Sequence, residues 1–169
     1  NALVVAADEV SEFVLSGFQS FQAVSSKPCR PYDKERDGIT LGEATAALFL
    51  TKEEFGAQGE ILSSSSINDA NHISGPSRTG EGLFLSIQNA LRQASLEASQ
   101  IDLINAHGTG TLYNDEMESI AFFRSGLQET PLNSYKGYFG HTLAASGLLE
   151  LVLSIALAKE RKAIRSEGF

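Results

Sequence analysis

From Glu60 onward the chain alternates short apolar runs with helical spacing, which restricts it to an α/β architecture, parallel strands covered by helices. The strand candidates are residues 60–66, 101–106 and 131–134. Between them, Leu83, Ile87, Ala90, Leu91 and Ala94 fall on one face of a helix that begins at Glu81. A second helix is expected to start near Asp115, with Glu118 completing a capping-box pattern. Met117, Ile120 and Ala121 lie on its inner side, and Gly126 stops it. The third runs from Thr142 to about Lys162.

The first part follows a different plan. Residues 3–7 and 44–51 are apolar and strand-like, and residues 29–43, with alternating charges, a proline and two glycines, describe a structured loop. Strand, charged loop and strand predict an antiparallel or mixed pairing. Residues 15–28 read as irregular, and the polar stretch 67–82 as a long loop. Asn68, Asp69, Asn71 and His72 in that loop either order it or bind a ligand.

A net charge of −8 and a pI near 4.8 argue against sequence-independent nucleic-acid binding, which needs clustered cations. Lys159, Arg161, Lys162 and Arg165 are read as cations at a helix C-terminus, with a basic patch as the alternative. One cysteine, Cys29, rules out an internal disulfide framework and fits a reducing compartment. There is neither a signal-peptide pattern nor an apolar run long enough for a membrane span, so a cytoplasmic location is expected.

Chemistry concentrates on two strand-end loops. His107 sits in NAHGTGT, where Gly108 and Gly110 let a ligand approach the backbone and Thr109 and Thr111 offer hydroxyls. Lys136 and His141 lie in SYKGYFGH, directly before an apolar helix whose start favours negative charge. Glu150 is either a buried partner for Lys136 or, with Ser146 and Ser154, part of a solvated helix stripe. Metal binding is a poor fit, because the histidines lie 35 and 34 residues apart without a local pair. Cys29, before Arg30-Pro31 in a charged loop, lacks the setting of a nucleophile.

Three motifs in this order, RPYDKERDGITLGE at 30–43, NAHGTGT followed by Asn114, Asp115 and Glu118, and SYKGYFGH continuing through AASG, resemble the β-ketoacyl-acyl-carrier-protein synthases. The resemblance covers essentially the whole chain. It implies the thiolase fold, two similar α/β halves in α/β/α/β/α layers, with residues 1–56 ending the first half and 57–169 forming most of the second. It further implies decarboxylative Claisen condensation of an acyl thioester with a malonyl thioester on acyl carrier protein, normally by a homodimer. No cofactor is implied beyond the phosphopantetheine arm of the substrate. His107 and His141 match the family's catalytic histidines, Lys136 its active-site lysine, Glu150 the carboxylate that pairs with it, and Thr109 and Thr111 the hydroxyls that bind pantetheine. The family's nucleophilic cysteine and its late glycine-rich loop have no counterpart in these residues, which implies that the chain alone is inactive. Tyr135 stands where many relatives have threonine. A non-catalytic partner subunit of the chain-length-factor type is the alternative.

Overall fold

β1 (Ala2–Asp8) and β2 (Ala44–Leu50) pair antiparallel, Ala2 opposite Leu50 and Asp8 opposite Ala44, as strand, loop and strand predict. The computed structural model describes residues 1–72 and 75–166. Ile73 and Ser74 of the polar loop and Glu167, Gly168 and Phe169 at the end lie outside the described residues. Between β1 and β2 the stretch expected to be irregular begins with α1 (Glu12–Ser20). Ser16, Gly17 and Ser20 are weak helix formers, and the helix is started instead by Ser11, whose side chain accepts the Val14 N–H at 3.3 Å.

The charged loop is structured, as expected. Its end pairs with the backbone at His141: His141 N–H donates to Thr40 O at 2.6 Å and Gly42 N–H to His141 O at 3.1 Å. Only glycine permits this approach, since a Cβ on Gly42 would lie 1.9 Å from Phe139 O.

α2 (Glu81–Ala94) forms where the periodicity predicts it. The polar loop before it is ordered by its own side chains, with Asp69 accepting from Ser77 N–H at 2.7 Å and Gly82 N–H at 3.3 Å. Residues 60–66 form no strand. Ser63 Oγ donates to Ala90 O and Ser86 Oγ to Ser65 O, which ties the segment to α2.

β3 (Ile104–Asn105) and β4 (Leu132–Asn133) pair in parallel, as the alternation predicts. β3 is shorter than residues 101–106, because a tight turn over residues 98–100 precedes it and the chain bends at Gly108, whose φ is +42°. α3 (Leu112–Arg124) starts before the expected Asp115, and α4 (Lys136–Phe139) gives the SYKGYFGH loop one helical turn. α5 (Ser146–Lys159) packs on β2, with Lys159 in its last turn. Ala106, Phe122 and Leu127 centre a small core filled out by Leu83, Ile87, Ile104 and Leu132. Among the described residues no helix is long and apolar enough to cross a membrane.

Candidate active site

Two carboxylates on α3 hold the His107 loop. Asp115 and Glu118 are buried, and helix geometry tilts their side chains back toward the N-terminal end, where the loop passes. Glu118 accepts His107 N–H at 2.8 Å and Gly108 N–H at 2.7 Å; Asp115 accepts Thr109 N–H at 3.0 Å and Gly110 N–H at 3.2 Å. The same acids secure the charged loop, Tyr32 N–H donating to Asp115 and the Tyr32 hydroxyl to Glu118 at 2.8 Å. Burial and the adjacent Glu118 push the Tyr32 phenol far up, so it stays a donor. Burial pushes Glu118 up as well, against the donors that stabilise its charge.

The expected capping box is therefore corrected. The cap position is Thr111, and Asp115 and Glu118 serve a different chain segment. Asp115, Glu118 and Phe122 share one helix face, and that spacing was the available sign that both acids point inward. Replacing Glu118 by Gln is expected to destabilise the protein by about 2 kcal/mol, because an amide accepts weakly and turns N–H groups on other donors. Chemical denaturation of the variant beside the parent measures this.

Lys136 is fully buried beneath the two histidines. Its ammonium donates to His107 O at 2.7 Å and to Glu150 Oε1 at 2.6 Å. Glu150, itself half-buried, is thus the partner of the buried Lys136. The solvated-stripe alternative fails: Ser146 is buried, and Ser154 meets the Tyr135 hydroxyl at 3.4 Å.

The His107 and His141 rings stand edge to face with centroids 5.1 Å apart. Leu143 N–H donates to His141 Nδ1 at 3.1 Å, which leaves Nε2 of the neutral ring to carry the proton. Asp8 takes the next N–H, from Ala144, at 3.0 Å. The Leu143 and Ala144 N–H groups ahead of α5 thus already have acceptors, one an imidazole and the other a carboxylate.

Desolvation, then the Lys136 ammonium, then His141 lower His107 to about 4; desolvation and Lys136 do the same to His141. His107 is exposed as a residue, so solvent screens part of the effect and for this residue the direction carries the weight: neutral at pH 7. Both folded values lie below that of an unfolded histidine, so the unfolded chain binds more protons below about pH 6.5. Stability is expected to fall as pH drops from about 6.5 toward 4, which thermal unfolding at stepped pH would register.

Thr109 and Thr111 bring their hydroxyls within 3.0 Å of each other beside His107. Cys29 is buried, donates to Lys136 O at 3.0 Å, and has its thiol pushed up by burial, the opposite of an activated nucleophile.

His107 follows β3, and Lys136 and His141 follow β4, so the α/β fold gathers two imidazoles and a buried ammonium beside its pair of parallel strands. The sequence profile of the β-ketoacyl synthase C-terminal domain matches residues 58–167. The chain belongs to the β-ketoacyl synthase family, and its fold is part of the thiolase-like α/β fold. It is 31% identical to 3-oxoacyl-[acyl-carrier-protein] synthase 2 of Coxiella burnetii, over 96% of this chain and 44% of that enzyme. With the enzyme of the same name from Rhizobium meliloti the identity is 36%, over 83% of this chain and 37% of the relative. A crystal structure of a β-ketoacyl synthase from Burkholderia phymatum superposes with a TM-score of 0.87 at 35% identity, covering 94% of this chain and 41% of that one. A ketosynthase in complex with its chain length factor, from Xenorhabdus doucetiae, gives a TM-score of 0.84 at 38% identity, covering 94% and 39%. The chain thus spans well under half the length of these relatives.

Proposed function

We propose that these residues form the malonyl-activating side of a 3-oxoacyl-acyl-carrier-protein synthase. The observation that carries this is the edge-to-face pair of neutral imidazoles, 5.1 Å apart and backed by a buried lysine, in a family of condensing enzymes. In the proposed reaction the bond from the malonyl α-carbon to its carboxylate breaks and carbon dioxide leaves. The electron pair becomes an enolate, whose oxygen is held by N–H groups of His107 and His141. The α-carbon then attacks an acyl thioester, and the thiolate departs.

Lys136, tied to Glu150, holds the His107 loop and keeps both rings unprotonated. Thr109 and Thr111 would bind the pantetheine arm that carries the malonyl group, with no separate cofactor. Cys29 is not exposed to receive an acyl group, so the acyl thioester is assigned to a residue outside these 169. The partners proposed are acyl carrier protein and a second ketosynthase-like subunit, either an identical copy or a chain-length factor, in the cytoplasm. Retention of both histidines and the lysine favours the catalytic subunit over the partner.

The test supplies the intact protein, and this 169-residue chain beside it, with malonyl-carrier protein and a labelled acyl donor. A covalent acyl-enzyme and a β-ketoacyl product from the intact protein alone are expected. If the intact protein takes no acyl group and makes no product, the partner-subunit reading replaces this one.

A further inference from the structure

His141 Nδ1 has two neighbours, not one. Besides Leu143 N–H, the Ser146 hydroxyl lies 3.1 Å from Nδ1, and Ser146 is 5% exposed. Behind it, the Thr142 hydroxyl lies 3.1 Å from Ser146 Oγ and is 1% exposed. Leu143 has φ +47°, a left-handed conformation that costs a branched residue about 1 kcal/mol or more and that here accompanies an N–H aimed at the imidazole.

These contacts fix where the hydrogens go. Leu143 N–H donates to Nδ1, so Nδ1 carries no proton and can only accept, its one lone pair shared between the two neighbours within reach. Were Ser146 to donate to Thr142 instead, its oxygen would face Nδ1 lone pair to lone pair at 3.1 Å. The arrangement without that repulsion runs Thr142 O–H to Ser146 Oγ and Ser146 O–H to His141 Nδ1. We propose that Ser146 is a positioning residue for His141: its hydroxyl, oriented by Thr142, joins Leu143 N–H on Nδ1 and locks the ring in the Nε2–H tautomer, with that N–H facing the substrate.

The proposal rests on the malonyl-activating role given to His141, and it extends that role from the ring to the helix behind it. Ser146 is the first residue of α5, one turn before Glu150, so the helix that fixes the Lys136 ion pair also fixes the second imidazole. Among the described residues, the titratable and charged groups around His141 are Lys136, the His107 ring, Glu150 through its pairing with Lys136, and Asp8 on the neighbouring Ala144 N–H. None of the four bonds Nδ1, which leaves that atom to the hydroxyl and the backbone.

The test is nitrogen-15 NMR of the histidine-labelled intact protein, together with decarboxylation of a malonyl thioester. His141 of the parent should show the Nε2–H tautomer. In Ser146→Ala the neutral ring loses a donor, so its titration should rise by roughly half to one pH unit, the equivalent of one hydrogen bond. kcat for decarboxylation should drop roughly fivefold to tenfold with KM little changed, while Ser146→Thr, which keeps the hydroxyl, restores both. A protonated Nδ1 in the parent overturns the proposal whatever the variants do, and so does a folded Ser146→Ala with unchanged titration. An NMR response in a protein that does not decarboxylate malonyl thioesters would uphold the role of Ser146 at the ring and overturn the function proposed above.

Discussion

Replacing His107 by Ala in the intact protein is expected to slow malonyl decarboxylation by about 10²–10³-fold, the loss that follows removal of one donor to a developing oxyanion. Transfer of the acyl group onto the enzyme should stay near the parent rate. The separation is expected because the loop is held at this position through the main chain. Glu118 accepts His107 N–H, and Lys136 donates to His107 O. Both bonds survive truncation, so alanine subtracts the imidazole and leaves the loop. Release of labelled carbon dioxide measures the first step, and capture of the acyl-enzyme measures the second. Normal decarboxylation in the variant would remove His107 from the enolate site. Parallel loss of both activities would show that the loop had collapsed, and Glu118→Gln is the reference for that failure.

Which parts of this were legible in the sequence follows from what generates each signal. β1, β2, α2 and the alternation of helices and short strands after α2 were readable because they depend on apolar periodicity, a local property. The pairing of Lys136 with Glu150 was readable only as one of two options. Spacing by four puts Ser146, Glu150 and Ser154 on one face without saying whether solvent or protein covers it. Protein covers it here, because Tyr135, just before α4, and Lys136, its first residue, bond to that face.

Other features depend on contacts between distant segments and left little local trace. Asp115 and Glu118 match a capping pattern, yet they bind the loops around Thr109 and Tyr32, and the second of these lies more than eighty residues away. α1 escaped because serine and glycine dilute its helical signal. Residues 60–66 have strand composition, but a strand also needs a neighbouring strand to pair with, and among the described residues none pairs with this segment. The left-handed Leu143 could not have been foreseen, since leucine has no preference for that conformation and the contacts of His141 impose it.

Breaking the Lys136–Glu150 pair is expected to cost more than any other single change on α5, and unequally from its two sides. Removing one member of a buried ion pair typically costs about 3–5 kcal/mol, because the other charge is left without compensation. Glu150→Ala leaves the Lys136 ammonium with only His107 O, and the full penalty is expected. Lys136→Met leaves a carboxyl that burial already pushes up, so Glu150 can take a proton and shed its charge. Its folded titration then lies above the unfolded one, so the variant should be hurt less below the unfolded value and progressively more as pH rises through the folded value. Lys136→Met should also raise both histidine titrations, since the ammonium helps hold them down. Denaturant unfolding of each single variant and of Lys136→Met with Glu150→Leu, at pH 5 and pH 8, separates these effects. The double variant should recover most of the lost stability, because a well-packed apolar pair replaces a buried ion pair at little cost. It should not recover decarboxylation, since His107 O then has no donor from Lys136. Equal losses from the two single variants at both pH values would mean that Glu150 stays ionised without its partner.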